Sequence, residues 1–488
     1  MKKSLLFPSL FLLLVATLAF GAWGAEEASA PDQTDSEPMT TTLPDIVYDE
    51  PAFNEFNFYE SLGLDLEMTL TGDLWAYSVW EKNVNFSEQN AAFVETIARL
   101  GANFRYGSNL SAEIRMVGTD VHKRPDRWTM PRRDDWHNRL DLANMSIATS
   151  IGGMDSMVTV GVQEIGFGDG LLVYDGYSEK RAIYSNAIRS FPGVRWSLGV
   201  AEGYTLDLFT AIVHDDHLNY EAWFGDRAVV EGGGQLSGIN LNMVASGLGD
   251  ADLGLFYKDD SAENDDPLGR DTNSNTWALS FRDAISLADL GLPEPCERVT
   301  FTGEIVKQWG RTKVVEGSLV GKRHSRSAFG GQLALKYEFT DAANSPYMRA
   351  RWSHFQGDSN TTSAVEAFDP FFPAPYYDYG MWNLGDISSY YYPNSNKRVI
   401  TLEYGMEVLT DVICKILYYD ISLDQKMDFS GSPQWSNELN LIVDWVPCKN
   451  GFMGCLLGAA SPGGAAKKFY GGNDETQTQV AVWAGLTF

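Results

Sequence analysis

Basic side chains are scarce in this sequence. There are 37 Lys and Arg against 65 Asp and Glu, and the formal net charge is −28. A phosphate backbone needs a basic footprint, so nucleic acid is excluded as a partner. The acidic surplus reads as hydrated loops facing water; cation-bridged contact with an anionic surface is the more specific alternative. Histidine numbers only six, and no Ser/His/acid triad, zinc motif or phosphate loop stands at working spacing. No catalytic residue, cofactor or metal-ligand set is therefore assigned. His214-Asp215-Asp216-His217 reads as a hydrated loop. Asp259 to Asp266 has the hard-oxygen chemistry of a structural calcium loop, without full EF-hand spacing. Beyond the amino terminus no apolar run approaches the ~18 residues of a spanning helix. The four cysteines, Cys296, Cys414, Cys448 and Cys455, all lie far from the amino-terminal region, which excludes lipid attachment at a processed amino terminus.

The amino terminus has the form of a secretory signal. Lys2 and Lys3 precede an apolar run from Leu5 to Phe20, and cleavage is expected after Gly24 or Ala25. Residues 1–25 are thus a signal peptide and 26–61 an acidic, aperiodic periplasmic leader. The remainder, 62–488, alternates with a period of two. Leu62, Leu64, Leu66, Met68 and Leu70 oppose Gly63, Asp65, Glu67 and Thr69. The pattern recurs to the last residues, where Val480, Val482, Ala484, Leu486 and Phe488 share one parity. Aromatics make up 13% and there are 46 glycines, a composition suited to many strands, tight turns and interfacial rings.

One apolar and one charged face repeated over this length predict a transmembrane antiparallel β-barrel. Only a closed sheet pairs every backbone group inside a bilayer. Short Gly-, Asn- and Asp-rich links alternate with long polar ones (164–192, 214–235, 259–273, 310–327, 358–397 and 461–477), which gives about eighteen strands with both termini periplasmic. Phe488 then becomes the barrel-closing terminus. The cysteines fall near periplasmic strand ends, where a disulfide is expected, and Cys414 with Cys448 is the favoured pair. The inward parity places Arg99, Arg105, Arg115, Arg139, Arg195, Lys336, Arg349 and Arg351 in the lumen, with Glu403 and Glu407 among its carboxylates and Gln163 as a further pore-lining candidate. Two readings stay open: rings of charge that select ions, with Arg99, Arg105, Arg115 and Arg139 as an anion track, or mutual neutralisation that only holds the barrel open.

Three stretches carry a resemblance. The first runs Val160-Gly161-Val162-Gln163-Glu164, Phe167-Gly168-Asp169-Gly170, then Asn186 to Arg189, Phe191 and Gly193-Val194-Arg195. The second is Arg351 to Asp358 followed by Glu366-Ala367-Phe368-Asp369-Pro370-Phe371-Phe372-Pro373. The third is Glu438-Leu439-Asn440-Leu441. In this order they resemble the alginate-export family of outer-membrane proteins. The resemblance implies an eighteen-stranded channel passing an anionic polysaccharide. It also implies a carboxy-terminal signal read by the barrel-assembly machinery. By position, Gln163, Glu164, Asp169, Arg189, Arg195, Asp358 and Asp369 carry over as residues that order lumen-facing loops. The sequence departs from the family at Val162 and Pro192, where the motifs have Arg and Asp, and at Asn440, where they have Asp.

The expectation is a passive channel in the outer membrane of a Gram-negative bacterium for a polar or anionic solute, extending to an oligosaccharide. Its surroundings would be outer-membrane lipid and lipopolysaccharide. The 358–397 connection, with Phe371, Phe372, Tyr376, Tyr377, Tyr379 and Trp382, is the candidate constriction. A structural or adhesion barrel with a plugged lumen is the alternative, and a barrel hydrolase a lesser one.

Overall fold

The computed structural model describes residues 66–122, 137–173, 190–214, 233–245, 249–260, 274–293, 296–313, 323–339, 344–359, 362, 364–371, 385, 387, 395–426 and 431–488. The signal peptide and leader lie outside them. Eighteen strands follow in chain order. The first half comprises β1 (Leu66–Lys82), β2 (Asn90–Tyr106), β3 (Leu110–His122), β4 (His137–Ile151), β5 (Met154–Gln163), β6 (Phe191–Ala201), β7 (Tyr204–His214), β8 (Gly233–Ala245) and β9 (Gly249–Asp260). The second half comprises β10 (Ser274–Ser286), β11 (Val299–Lys313), β12 (Arg323–Glu338), β13 (Tyr347–Phe355), β14 (Lys397–Leu409), β15 (Val412–Leu423), β16 (Gln434–Cys448), β17 (Gly451–Pro462) and β18 (Gln477–Thr487). A short helix, α1 (Gly464–Phe469), sits between β17 and β18.

Every strand pairs antiparallel with its chain neighbour, and β1 pairs with both β2 and β18. The sheet is therefore closed, which removes all edges. Closure extends to the last residue: Gly72 and Phe488 exchange backbone hydrogen bonds of 2.8 and 2.9 Å. The Phe488 ring lies where a Cβ on Gly72 would stand. The two- and three-residue links lie on one rim, together with both ends of the barrel and the longer 287–298 and 339–346 links, and the remaining connections, from the seven-residue 83–89 upward, lie on the other.

Alternation sorts side chains as the period-two reading requires. On the outer face Leu70, Leu100, Ile114, Met145, Val160, Ile239, Leu253, Leu279, Ile305, Leu333, Met348, Ile400, Ile416, Leu439 and Val480 are exposed around the whole circumference. Towards the long-connection rim the belt carries Trp80, Trp277 and Trp309. Trp277 stands opposite Trp309 and packs on Tyr257 at 4.7 Å. A belt of this extent has no counterpart on soluble monomers.

The inner face is not uniform. From β15 through β18 to β2 it carries Tyr419, Phe452, Leu456, Trp483, Trp75, Tyr77 and Phe93, all buried. Ala465 and Ala466 of α1 are also buried, and Phe469 and Tyr470 pack on Trp435 of β16. The expectation of a polar inner parity is thus met only in part over this sector. Large apolar side chains there pack against one another, interleaved with buried Glu81, Glu95, Arg99, Glu438, Asn440 and Gln479.

The disulfide expectation is corrected. All four cysteines are free thiols. Cys414 stands opposite Val443 on β16, five residues before Cys448, and Cys448 pairs instead with Gly451 across the β16–β17 turn. At about 3.3 Å per strand residue, Cys414 and Cys448 are too far apart for the ~7 Å limit on bridged Cα atoms.

Candidate functional site: the lumen wall

The polar wall is built from ion pairs that join neighbouring strands. Arg99 on β2 donates to both oxygens of Asp73 on β1, at 3.0 and 3.1 Å. Arg115 on β3 reaches Asp141 on β4 at 2.6 Å and Glu164 beyond β5 at 2.5 Å, with Glu113 at 4.0 Å. Arg195 on β6 binds Asp207 on β7 at 2.8 Å. Arg349 on β13 binds Glu403 on β14 at 2.6 Å, and the Tyr347 hydroxyl donates to the same carboxylate at 2.6 Å. Lys336 meets Glu338 at 2.8 Å and lies 4.9 Å over the Tyr347 ring. Arg351 is buried on the inner face of β13.

Gln163 is also inward and buried, and its amide donates to the Gly193 carbonyl at 3.1 Å. Two expected lumen residues are not held inside. Arg105 is exposed at the short-turn end of β2, 4.0 Å from Glu67. Glu407 is exposed beside a β-bulge at the β14–β15 turn, where its carboxylate accepts the Asp411 amide at 3.2 Å. Its charge is used to tie that turn. The Arg139 side chain lies outside the described residues.

Two connections fold inward and dock on the β9–β12 wall. The segment after β5 carries Asp169, whose carboxylate accepts from Arg282 on β10 at 2.9 Å and from Gln332 on β12 at 3.3 Å. Its amide donates to Glu304 on β11 at 3.0 Å. Gly168, at φ +61°, sets this turn where a side chain would meet the Glu304 carboxylate. Beside it Phe167 packs on Phe209 and Phe256 at 5.2 and 5.5 Å.

The second connection follows β13. Asp369 exchanges backbone hydrogen bonds with the Gln308 side chain, at 2.9 and 2.6 Å, and its carboxylate lies near Lys258 and Arg326 at 3.6 and 3.7 Å. Burial works against ionisation here, but Lys258 and Arg326 outweigh it and hold the Asp369 carboxyl below its ordinary range. Phe368 packs where Gly330 leaves room, and Phe371 is buried with the Lys258 ammonium 5.5 Å over its ring. Further along, the Ile387 amide donates to Glu438 on β16 at 2.9 Å. This connection is therefore pinned on β11 and again on β16. Asp358 is half-buried near its start. Arg189, Phe372, Tyr376, Tyr377, Tyr379 and Trp382 lie outside the described residues.

Sequence reasoning missed Asp73, Lys258, Arg282, Gln308, Arg326 and Gln332. Their parity carried a usable signal: Lys258 shares that of Phe256, and Arg282 that of Ala278. What parity could not show is which distant loop each one receives. No group of His, Cys, Asp and Glu among the described residues could hold a metal; most of the Asp259–Asp266 stretch lies outside them.

No protein-family model and no curated protein matches the chain. Solved structures do resemble it. A BenF-like porin from Pseudomonas fluorescens Pf-5 aligns with a TM-score of 0.52 at 10% identity, over 86% of this chain and 99% of that one. The Pseudomonas aeruginosa outer membrane protein OpdK gives 0.48 at 12% identity, over 86% and 99%. OccK2 (OpdF) of the same organism, solved in complex with glucuronate, gives 0.49 at 12% identity, over 86% and 98%. The last two scores fall below one half. The first likeness concerns fold alone: this chain has the closed antiparallel 18-strand barrel architecture found in a porin.

Proposed function

We propose that the protein is an outer-membrane channel for the passive passage of small polar solutes, with both termini and the short turns on the periplasmic side. The observation that carries this reading is the pairing of a continuous apolar outer belt with an inner wall of ion-paired charge. Such a barrel is at home only with lipid outside and water within. Lipid and lipopolysaccharide would surround the belt, and the Phe488 terminus would engage the barrel-assembly machinery. The docked segments around Asp169 and Asp369 would narrow the bore, and the charges of β1–β14 would line it. The motifs shared with alginate-export proteins support a channel. They support polysaccharide cargo less, because Arg99 and Arg115 are each held by carboxylates. The packed apolar sector from β15 to β2 favours a second reading, a plugged structural barrel.

Liposome swelling separates the two. Proteoliposomes in iso-osmotic arabinose, glucose and a trisaccharide should swell at rates that fall steeply with solute size. Barrels shown to be inserted, yet giving no swelling with any of these sugars, would support the plugged barrel instead.

A further inference from the structure

We infer that the passage prefers cations, so that its solutes are small cations and cationic organic molecules. The inference rests on the channel reading above and names its charge class. Its basis is which member of each ion cluster meets water. On the β1–β5 wall the side chains of Arg99 and Arg115 are 3% and 14% exposed, whereas Glu113 and Glu164 beside Arg115 are 31% and 36% exposed. Asp73 and Asp141 approach the same two guanidiniums. Among the described side chains two cations thus sit among four carboxylates; Glu113 and Glu164 are the outermost groups, and Asp141 is the innermost at 1% exposure.

The β9–β10 wall repeats the arrangement. Arg282 is 12% exposed and has Asp169, Asp250 and Asp252 at 2.9, 2.5 and 3.8 Å, with Asp250 48% exposed. Arg195 with Asp207 and Arg349 with Glu403 each have the carboxylate the more buried, and the further cations near Glu403, Arg351 and Lys415, are themselves buried. Arg99 and Arg115 therefore do not present a positive track to the lumen. The β1–β5 and β9–β10 clusters are negative with a carboxylate outermost, whereas the one positive cluster described above, Lys258 and Arg326 around Asp369, keeps its cations only 13% and 11% exposed; acidic side chains on a pore wall concentrate cations and repel anions.

The test is the reversal potential of the full-length protein in a planar bilayer under a KCl gradient. Potassium should be favoured over chloride by about threefold or more near 0.1 M, where the Debye length is about 10 Å, and the preference should fade towards 1 M, where it is about 3 Å. Exchanging Glu113→Gln and Asp250→Asn together removes exposed carboxylates while leaving the loop anchors Glu164 and Asp169, and should move the ratio towards chloride. Asp155→Asn, at the exposed start of β5 beside the β4–β5 turn, should leave it unchanged. Chloride preference in the unaltered protein overturns the inference, as does an unchanged ratio in the double variant. An inserted but silent barrel fails in a different way, because it removes the channel reading and this inference with it.

Discussion

Asp169 and Arg282 meet at 2.9 Å although 113 residues separate them in the chain. One belongs to the connection after β5, the other to the inner wall of β10. Their contact turns a link that would otherwise extend from the rim into part of the lumen wall. Asp169→Ala leaves Arg282 without one of its anions in a largely buried place. Breaking such a pair costs about 3 kcal/mol. The expected outcome is a lower thermal unfolding midpoint together with a higher single-channel conductance. A lower midpoint with unchanged conductance would mean that the segment does not narrow the bore.

Gly330 serves the second docked connection. A Cβ there would stand 2.5 Å from the Phe368 ring. Gly330→Val should displace Phe368 and loosen the Asp369 anchor, at a cost of about 1–3 kcal/mol for overpacking. Cleavage by an added protease within 358–397 should become faster than in the unaltered protein, while cleavage of the short turns stays the same.

The long-connection rim has a pH-dependent tie. Asp424, just after β15, accepts from His354 at 2.9 Å, from the Gly357 amide at 2.9 Å and from Arg398. Burial pushes its pKa up, but these hydrogen bonds outweigh it and hold the carboxyl well below the usual range. A depressed folded pKa stabilises above the unfolded value of about 3.9 and loses that stabilisation as pH falls through the folded value. The unfolding midpoint of Asp424→Asn should therefore lie below that of the unaltered protein at pH 5–7. The gap should close as pH drops below about 4.

The β1–β18 seam ends in the backbone exchange between Gly72 and Phe488. Removing Phe488, or exchanging Gly72→Val so that the ring is displaced, should lower the yield of heat-modifiable barrel in the outer-membrane fraction. Unimpaired assembly of both variants would show that the ring and its two backbone bonds are dispensable.

The thiols provide a simpler check. Denatured protein prepared without reductant should titrate with four free thiols, and its gel mobility should not change on reduction.

Much of the architecture was legible from alternation. Period two from Leu66 to Thr487 marks the strands, and the order of short and long links marks the rims. Side-chain partners were less legible. Parity places Arg99 and Arg115 inward but cannot distinguish a bare guanidinium from one held by Asp73 or Glu164, because charge pairing is set by neighbours across the sheet. The motif residues Asp169 and Asp369 were recognisable as loop-ordering positions; their receivers, Arg282 and Gln308, were not. The inner cluster of Trp75, Tyr77 and Trp483 escaped because a strand apolar on both faces loses its alternation. Cys414 and Cys448 misled because nearness to the same rim is a weaker condition than the Cα separation a disulfide demands.

The central claim, a water-filled path through the barrel, is tested most directly by single-channel recording of the purified protein in planar bilayers. Discrete conductance steps are expected, larger in Asp169→Ala than in the unaltered protein. Barrels that insert, resist proteases and never conduct would contradict it.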